Sequence, residues 1–397
     1  MKVQRTLPPA AAEVTAAALL RAAAGIVVGA GYRRRVEAQV KDYFGVRSVF
    51  LASSGQAALT LILGALKSLT GRRQVVIPAY TCFSVPAAVT RAGLEVRVCD
   101  IDPATLDFDY GCLAKTIIRD TLCVVPTHLF GVPSDVARVS RLCEPAGAFV
   151  VEDAAQAMGG RDGGRLLGTT SDVGFFSLAR GKTITCGSGG IIVTNSDRIG
   201  RAIAREYDAV REPTVTEALR DFLRLLLMRA FVHPSVFWIP KAMPWLGLGQ
   251  TRYDVGFPIT RLSRVNAGAL HGWRERLSRT LRTRGETAAY FRAALGLQAG
   301  RVSTASARLP VVMESREARD RTYSVSEQRG LGLGVMYPTA IHAIEELRTS
   351  AGGQRAPAAE LLAERLLTIP THHLLSAADK RAVCALVRQG LRQEIAA

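Results

Sequence analysis

Lys182 lies in GFFSLARGKTITCGSGG (174–190), a run of glycines, hydroxyls and apolar residues, with Ser177 five positions before it. Desolvation lowers an amine's pKa and makes it a better nucleophile. Gly181, Thr183, Gly187, Gly189 and Gly190 leave room beside it for a bulky group. Asp153 stands 29 residues upstream, in AFVVEDAAQ (148–156), directly after Glu152 and an apolar run. A carboxylate there is partly buried and calls for a cation. Earlier still, SSGQAAL (53–59) sets Gly55 at the mouth of a helix pattern. Free N–H groups and the positive end of a helix dipole at such a place suit a phosphate. Taken singly, each signal has a plainer reading: capping for Ser53-Ser54-Gly55, a helix cap for Glu152-Asp153, a surface residue for Lys182.

The elements that must hold these residues follow from periodicity. SVFLASS (48–54), QVVIPAY (74–80), LEVRVCDI (94–101), TLCVVPTHL (121–129), AFVVEDA (148–154) and GGIIVTN (189–195) read as strands, and most are separated by helical segments such as QAALTLILGALKSL (56–69). Near-continuous Val/Ile runs alternating with helices imply a largely parallel sheet covered on both faces. In such sheets ligands bind beyond the carboxyl ends of the strands, which is where the three signals fall. Together they match one ligand: pyridoxal phosphate has a phosphate, a protonatable ring nitrogen and an aldehyde that an amine can take up.

The order SSGQAAL, VVIPAYTCFSVPAAV, RVCDIDPATLDFD, PTHLFGVPSD, FVVEDAAQAMGG, VGFFSLARGKTITCGSGGIIVTN closely resembles the DegT/DnrJ/EryC1/StrS aminotransferases, strongly over about residues 25–200 and more faintly to 376. The resemblance implies a fold-type-I α/β enzyme, with a large, mostly parallel sheet domain and a smaller C-terminal α+β domain. It implies that Lys182 joins the cofactor covalently and shuttles protons, and that Asp153 pairs with the ring nitrogen. Gln156 then lies near the ring's phenolic oxygen, and Ser177 with Gly55 and Gln56 holds the phosphate. The implied reaction moves an amino group from glutamate or glutamine to a keto-sugar, on a nucleotide, in surface-polysaccharide or secondary-metabolite biosynthesis, within a homodimer. Lysine rather than histidine at 182 favours amino transfer. Sugar dehydration, another pyridoxal phosphate reaction and a cofactor-binding regulator that does not turn over remain as alternatives.

Three departures stand out. Gln56 replaces a threonine common in the family, removing one hydroxyl from the phosphate seat. Cys82 occupies the place where many members have a ring-stacking aromatic, so either Phe83 compensates or the stacking is weaker. Gly256-Phe257-Pro258 replaces a Gly-aromatic-Asn motif, leaving the cross-subunit phosphate contact open. His128, in THLFG, reads as a core or loop histidine or as a group near the substrate. Tyr337 and His342, in YPTAIHAI, are candidates for the substrate entrance.

The chain divides as 1–212, the cofactor-binding domain; 213–250, an apolar insertion rich in Pro and Trp; and 251–397, a long basic helix and the small domain. In the insertion, Glu217, Arg220, Asp221 and Arg224 share one helical face, with leucines on the others. Packing against the body or a second subunit is the expected use, with interfacial membrane contact as the alternative. Its longest uncharged stretch, 230–240, is too short to span a bilayer. Lys and Arg number 51 against 34 Asp and Glu, a net +17 that suits a pyrophosphate-bearing substrate. Aromatics are only 6% and the arginines are dispersed, so nucleic acid is not an expected partner. Seven scattered cysteines without a CxxC pair point to a reducing, cytoplasmic setting and away from a metal site. AAALLRAAAGIVVGAG near the N-terminus reads as a helix and turn rather than a leader.

Overall fold

The computed structural model describes residues 5–27, 31–247, 249, 251–297, 305–348 and 353–392. Seven strands make the central sheet: β1 Ser48–Ala52, β2 Gln74–Pro78, β3 Glu95–Cys99, β4 Thr121–Val124, β5 Phe149–Asp153, β6 Val173–Ser177 and β7 Gly190–Thr194. Their spatial order is β1-β7-β6-β5-β4-β2-β3. β7 runs antiparallel to β1 and β6, and the remaining pairs are parallel. Successive side chains of a strand serve opposite faces. Phe175 joins the apolar cluster containing Leu59, Ile62 and Ile77, whereas Phe176 joins the one containing Val36, Phe44 and Trp273. Each such ring buried is worth about 1.5–3 kcal/mol. Helices therefore cover both faces, as the Val/Ile runs require.

β6 is the strand that sequence periodicity left out, because Gly174 interrupts its apolar run. The glycine has a steric reason: a Cβ there would stand 2.1 Å from the carbonyl oxygen of Gly168. Glycine inside a strand marks such a close backbone approach.

Two helices precede β1, Ala16–Val27 and Gly31–Phe44. The first fits the helix read from AAALLRAAAGIVVGAG, and residues 28–30 lie outside the described set. After the sheet, the Trp273–Leu295 helix leads to β8 Arg308–Val312 and β9 Leu366–Pro370, an antiparallel pair flanked by the Arg316–Arg329 and Ala377–Arg392 helices. This C-terminal part has its own apolar cluster around Phe291, Leu309, Ile369 and Val387. Tyr337, Ile341 and Leu362 instead join the cluster of the large sheet.

The insertion forms a Val215–Phe231 helix, opened by a Thr214/Glu217 capping box, and the short Trp238–Lys241 helix. Residues 248 and 250 lie outside the described set. Leu225 is the helix's one fully buried side chain, and Leu219, Leu223, Leu226 and Leu227 stay exposed. No helix among the described residues is long and apolar enough to cross a membrane.

Candidate active site at the carboxyl edge of the sheet

Asp153 ends β5 and Ser177 ends β6, while β1 runs directly into Ser53-Ser54-Gly55. The carboxyl edge of the sheet therefore gathers the residues that the sequence singled out. Ser54 caps the Gly55–Thr70 helix: its Oγ accepts the Ala57 N–H (3.0 Å) and its carbonyl accepts the Ala58 N–H (3.0 Å). The N–H groups of Gly55 and Gln56 are left at the helix mouth. Ser177 faces them. A Cβ on Gly55 would meet Ser177 Cβ at 3.0 Å and Oγ at 3.3 Å. On the other side, a Cβ on Gly190 would lie 2.2 Å from the Ser54 carbonyl oxygen. Glycine at both positions lets the helix mouth close on β6 and β7. Two backbone donors, a hydroxyl and a helix dipole thus converge on one notch, a fit for a phosphate.

Glu152 and Asp153 separate by strand alternation. Glu152 is fully buried and has four donors: His128 Nε2 (2.8 Å), the Thr170 N–H (2.9 Å), Thr170 Oγ1 (3.1 Å) and the Gly168 N–H. Burial alone would raise its pKa, but His128 and the backbone donors outweigh that and hold it low. Asp153 is almost as deeply buried and accepts one hydrogen bond, from the Ala155 N–H (2.9 Å). Its pKa is pushed up by burial, against the opposing pull of Ala155, Lys182 and His128. A buried carboxylate so thinly served suits a cationic ring nitrogen.

Lys182 is half-buried on the loop from β6 to β7, within electrostatic reach of Asp153. Its carbonyl accepts Arg284 Nη2 (2.9 Å), which also donates to the Ala11 carbonyl (3.1 Å). Sequence reasoning missed Arg284, although a signal existed. Arg284 falls on the buried stripe Leu277, Arg284, Ala288, Phe291 of the long helix. Burial first, then the charge of Arg308, lowers its pKa to about 10. Next to the lysine, Thr183 Oγ1 is buried without a partner among the described residues, as are Thr81 Oγ1 and Thr127 Oγ1.

Gln156 Nε2 donates to Tyr337 Oη (3.1 Å), joining the two ends of the chain at the site. The Tyr337 ring lies near-parallel to Phe130 and Phe83, each 6.4 Å away between centroids. Burial first, then Cys82 and Tyr80, drives its phenol pKa up. Cys82 is half-buried, and its Sγ accepts Ser84 Oγ (3.0 Å). His128 points elsewhere. Its Nδ1 accepts the Ser134 N–H (3.0 Å), so Nε2 carries the proton given to Glu152, and neither nitrogen is free for a substrate. His342 Nε2 pairs with Glu360 (2.7 Å), and its Nδ1 has no partner among the described residues. The structure thus connects Lys182, Asp153, Gln156, Tyr337 and Cys82, joins Gly55 to Ser177, and leaves His128 and His342 with partners of their own. No cluster of three or more His, Cys, Asp or Glu among the described residues is placed to hold a metal.

Residues 12–388 match the model of the DegT/DnrJ/EryC1/StrS aminotransferase family. A GDP-perosamine synthase of Vibrio cholerae is 30% identical over 168 residues, 42% of this chain and 46% of that protein. A UDP-N-acetyl-3-dehydro-alpha-D-glucosamine 3-aminotransferase of Acidithiobacillus ferrooxidans is 31% identical over 171 residues, 43% and 46% of the two chains. The chain spans about half, or less, of the length of the curated relatives it matches. The solved structure of the sugar aminotransferase CalS13 from Micromonospora echinospora superposes with a TM-score of 0.75 over 97% of this chain and 100% of that one, at 24% identity.

Proposed function

Because this chain belongs to the DegT/DnrJ/EryC1/StrS aminotransferase family, we propose that it is a transaminase that moves an amino group from glutamate or glutamine to a nucleotide-linked keto-sugar. Pyridoxal 5′-phosphate is the family's cofactor. The observation that carries the reading is the buried Asp153 carboxylate, with a single backbone donor and Lys182 within electrostatic reach.

When bound, the cofactor supplies an aldehyde that takes up an amine and a protonated ring that draws electrons from the adjoining carbon. The Gly55 and Gln56 N–H groups and Ser177 Oγ would bind its phosphate. Asp153 would hold the proton on the ring nitrogen. Lys182 Nζ would be the amine that holds the cofactor and, when free, the base that carries a proton from the donor's α-carbon and later to the sugar carbon. Arg284 fixes the Lys182 backbone during these exchanges. Phe83 and Phe130 pack near-parallel to the Tyr337 ring, and Gln156 orients the Tyr337 hydroxyl.

The net charge of +17 supports a pyrophosphate-bearing acceptor, as in surface-polysaccharide or secondary-metabolite biosynthesis. The reading further includes a homodimer and a cytoplasmic enzyme whose 213–250 segment touches a membrane surface. Exposed leucines beside Arg220 and Arg224 support that contact. The experiment is a coupled assay with glutamate and a nucleoside-diphosphate keto-sugar. Equal amounts of 2-oxoglutarate and amino sugar are expected. Loss of the sugar's hydroxyl without nitrogen transfer would replace the reading with dehydration.

A further inference from the structure

The insertion encloses a cavity that the transfer reaction does not use. It lies between Ala10–Ala12, the Val215–Phe231 helix and the chain from Phe237 to Leu246, with a volume of about 580 Å³. That is within the usual ~300–1,000 Å³ of small-molecule sites. Leu227, Phe231, Phe237 and Met243 wall it, and Arg180, Arg220 and Arg224 line it as well.

All three arginines are exposed, and the residues lining the cavity include no carboxylate to offset them. Neither Arg180 nor Arg220 has a hydrogen bond or ion pair among the described residues. Arg224 is 4.0 Å from Asp221, a carboxylate that already accepts Asn266 Nδ2 (3.0 Å). The like charge of Arg224 acts against that of Arg180. An anion among these guanidiniums would relieve their repulsion and gain charge-assisted hydrogen bonds. The apolar walls need a different filling. Part of the lining is open to solvent: Leu223, Leu227 and Leu246 are each about half exposed.

We propose that this cavity binds a single-chain lipid phosphate, its chain along Leu227, Phe231, Phe237 and Met243 and its phosphate on Arg180 and Arg224. A bare anion would leave the walls unfilled. A second copy of this chain is disfavoured by charge, because a two-fold contact sets the same patch against itself and would bring arginines to arginines. Arg180 is two residues from Lys182 on the same loop, and Gly181, between them, lies against Ala10, where a Cβ would come within 3.1 Å of the alanine methyl. The lipid head therefore binds beside the loop that carries the catalytic amine. The site deepens the membrane contact proposed above and is independent of the amino-transfer chemistry.

The test titrates the full-length, cofactor-loaded protein with dodecyl phosphate below its micelle concentration, following tryptophan emission. Trp238 and Trp245 lie in the insertion, whereas Trp273 is buried on Gln39. A saturable change with one ligand per chain is expected. Leu227→Glu, at a half-exposed position, and Arg224→Gln should each raise the half-saturation point at least tenfold. Inorganic phosphate and dodecyl maltoside should leave the emission unchanged. Equal response to phosphate alone (a plain anion site), equal response to the maltoside (an apolar patch without a headgroup), or curves unmoved by either variant would overturn the assignment. So would absence of binding together with monomerisation by Leu227→Glu, which marks a face for a second copy. Turnover is assayed separately, so none of these outcomes bears on the transaminase reading.

Discussion

Glu152 and Asp153 are consecutive in β5, yet one is a buried carboxylate saturated with donors and the other is buried and held almost bare. Four donors surround Glu152, and one backbone N–H serves Asp153. The two-residue period of the strand makes the division, and it leaves Asp153 as the carboxylate with room for a further partner.

Asp153→Asn should therefore separate stability from catalysis. Burial raises the folded-state pKa of Asp153 above its ordinary 3.8. Its contribution to stability is therefore full below that value and is lost as pH rises through the folded pKa. In cofactor-free protein, calorimetry at neutral pH should find Asp153→Asn as stable as the parent or more so. In the loaded enzyme, kcat should fall by about 10²–10⁴-fold. A cofactor-free variant much less stable than the parent would give Asp153 a structural role instead.

Glu152 carries the opposite sign. Its folded pKa lies below the usual 4.5, so the stability it contributes is present above that value and is lost as pH falls through the folded pKa. Glu152→Ala leaves the His128 Nε2–H and the Gly168 and Thr170 N–H groups without their acceptor and should cost about 1–3 kcal/mol or more in denaturant titration at neutral pH. The loss should shrink in acid, below the ordinary carboxylate range. A pH-independent difference would mean that cavity formation, not charge, dominates.

The phosphate seat is tested by crowding it. Gly55→Ala places a methyl 3.0 Å from Ser177 Cβ. Ser177→Ala removes a charge-assisted hydrogen bond worth about 1.5–3 kcal/mol. Both should raise the dissociation constant for cofactor roughly tenfold or more, read by loss of the bound chromophore on dialysis. Unchanged retention in both would place the phosphate elsewhere.

Arg284→Met replaces a buried guanidinium, whose Nε and Nη1 lack partners among the described residues, with an apolar chain of similar length. The Lys182 carbonyl loses its donor. A displacement of about 1 Å at the lysine would lower kcat by about 10²-fold. The fold should persist, as judged by an unchanged far-ultraviolet circular dichroism spectrum, and KM should move little. A change in KM alone would show that Arg284 serves substrate binding.

Sequence order carried much of the fold and the anchors of the site, because strand ends and helix mouths are local features that type and spacing reveal. Asp153, Ser177 and Gly55 fall at those places, and Lys182 follows on the loop from β6 to β7. What the sequence could not carry depended on distant partners. The Gln156–Tyr337 hydrogen bond joins residues 181 positions apart, and Arg284 reaches Lys182 across 102. His128 was ambiguous for the same reason, since its engagement by Glu152 and Ser134 is visible only in three dimensions. β6 escaped notice because Gly174 answers to the backbone of Gly168 rather than to its own strand.

The most direct test reduces the cofactor-loaded protein with borohydride and maps its peptides by mass. A phosphopyridoxyl group on the peptide containing Lys182, and on no other, is the expected result. A label on a different lysine, or a protein that acquires none, would contradict the account.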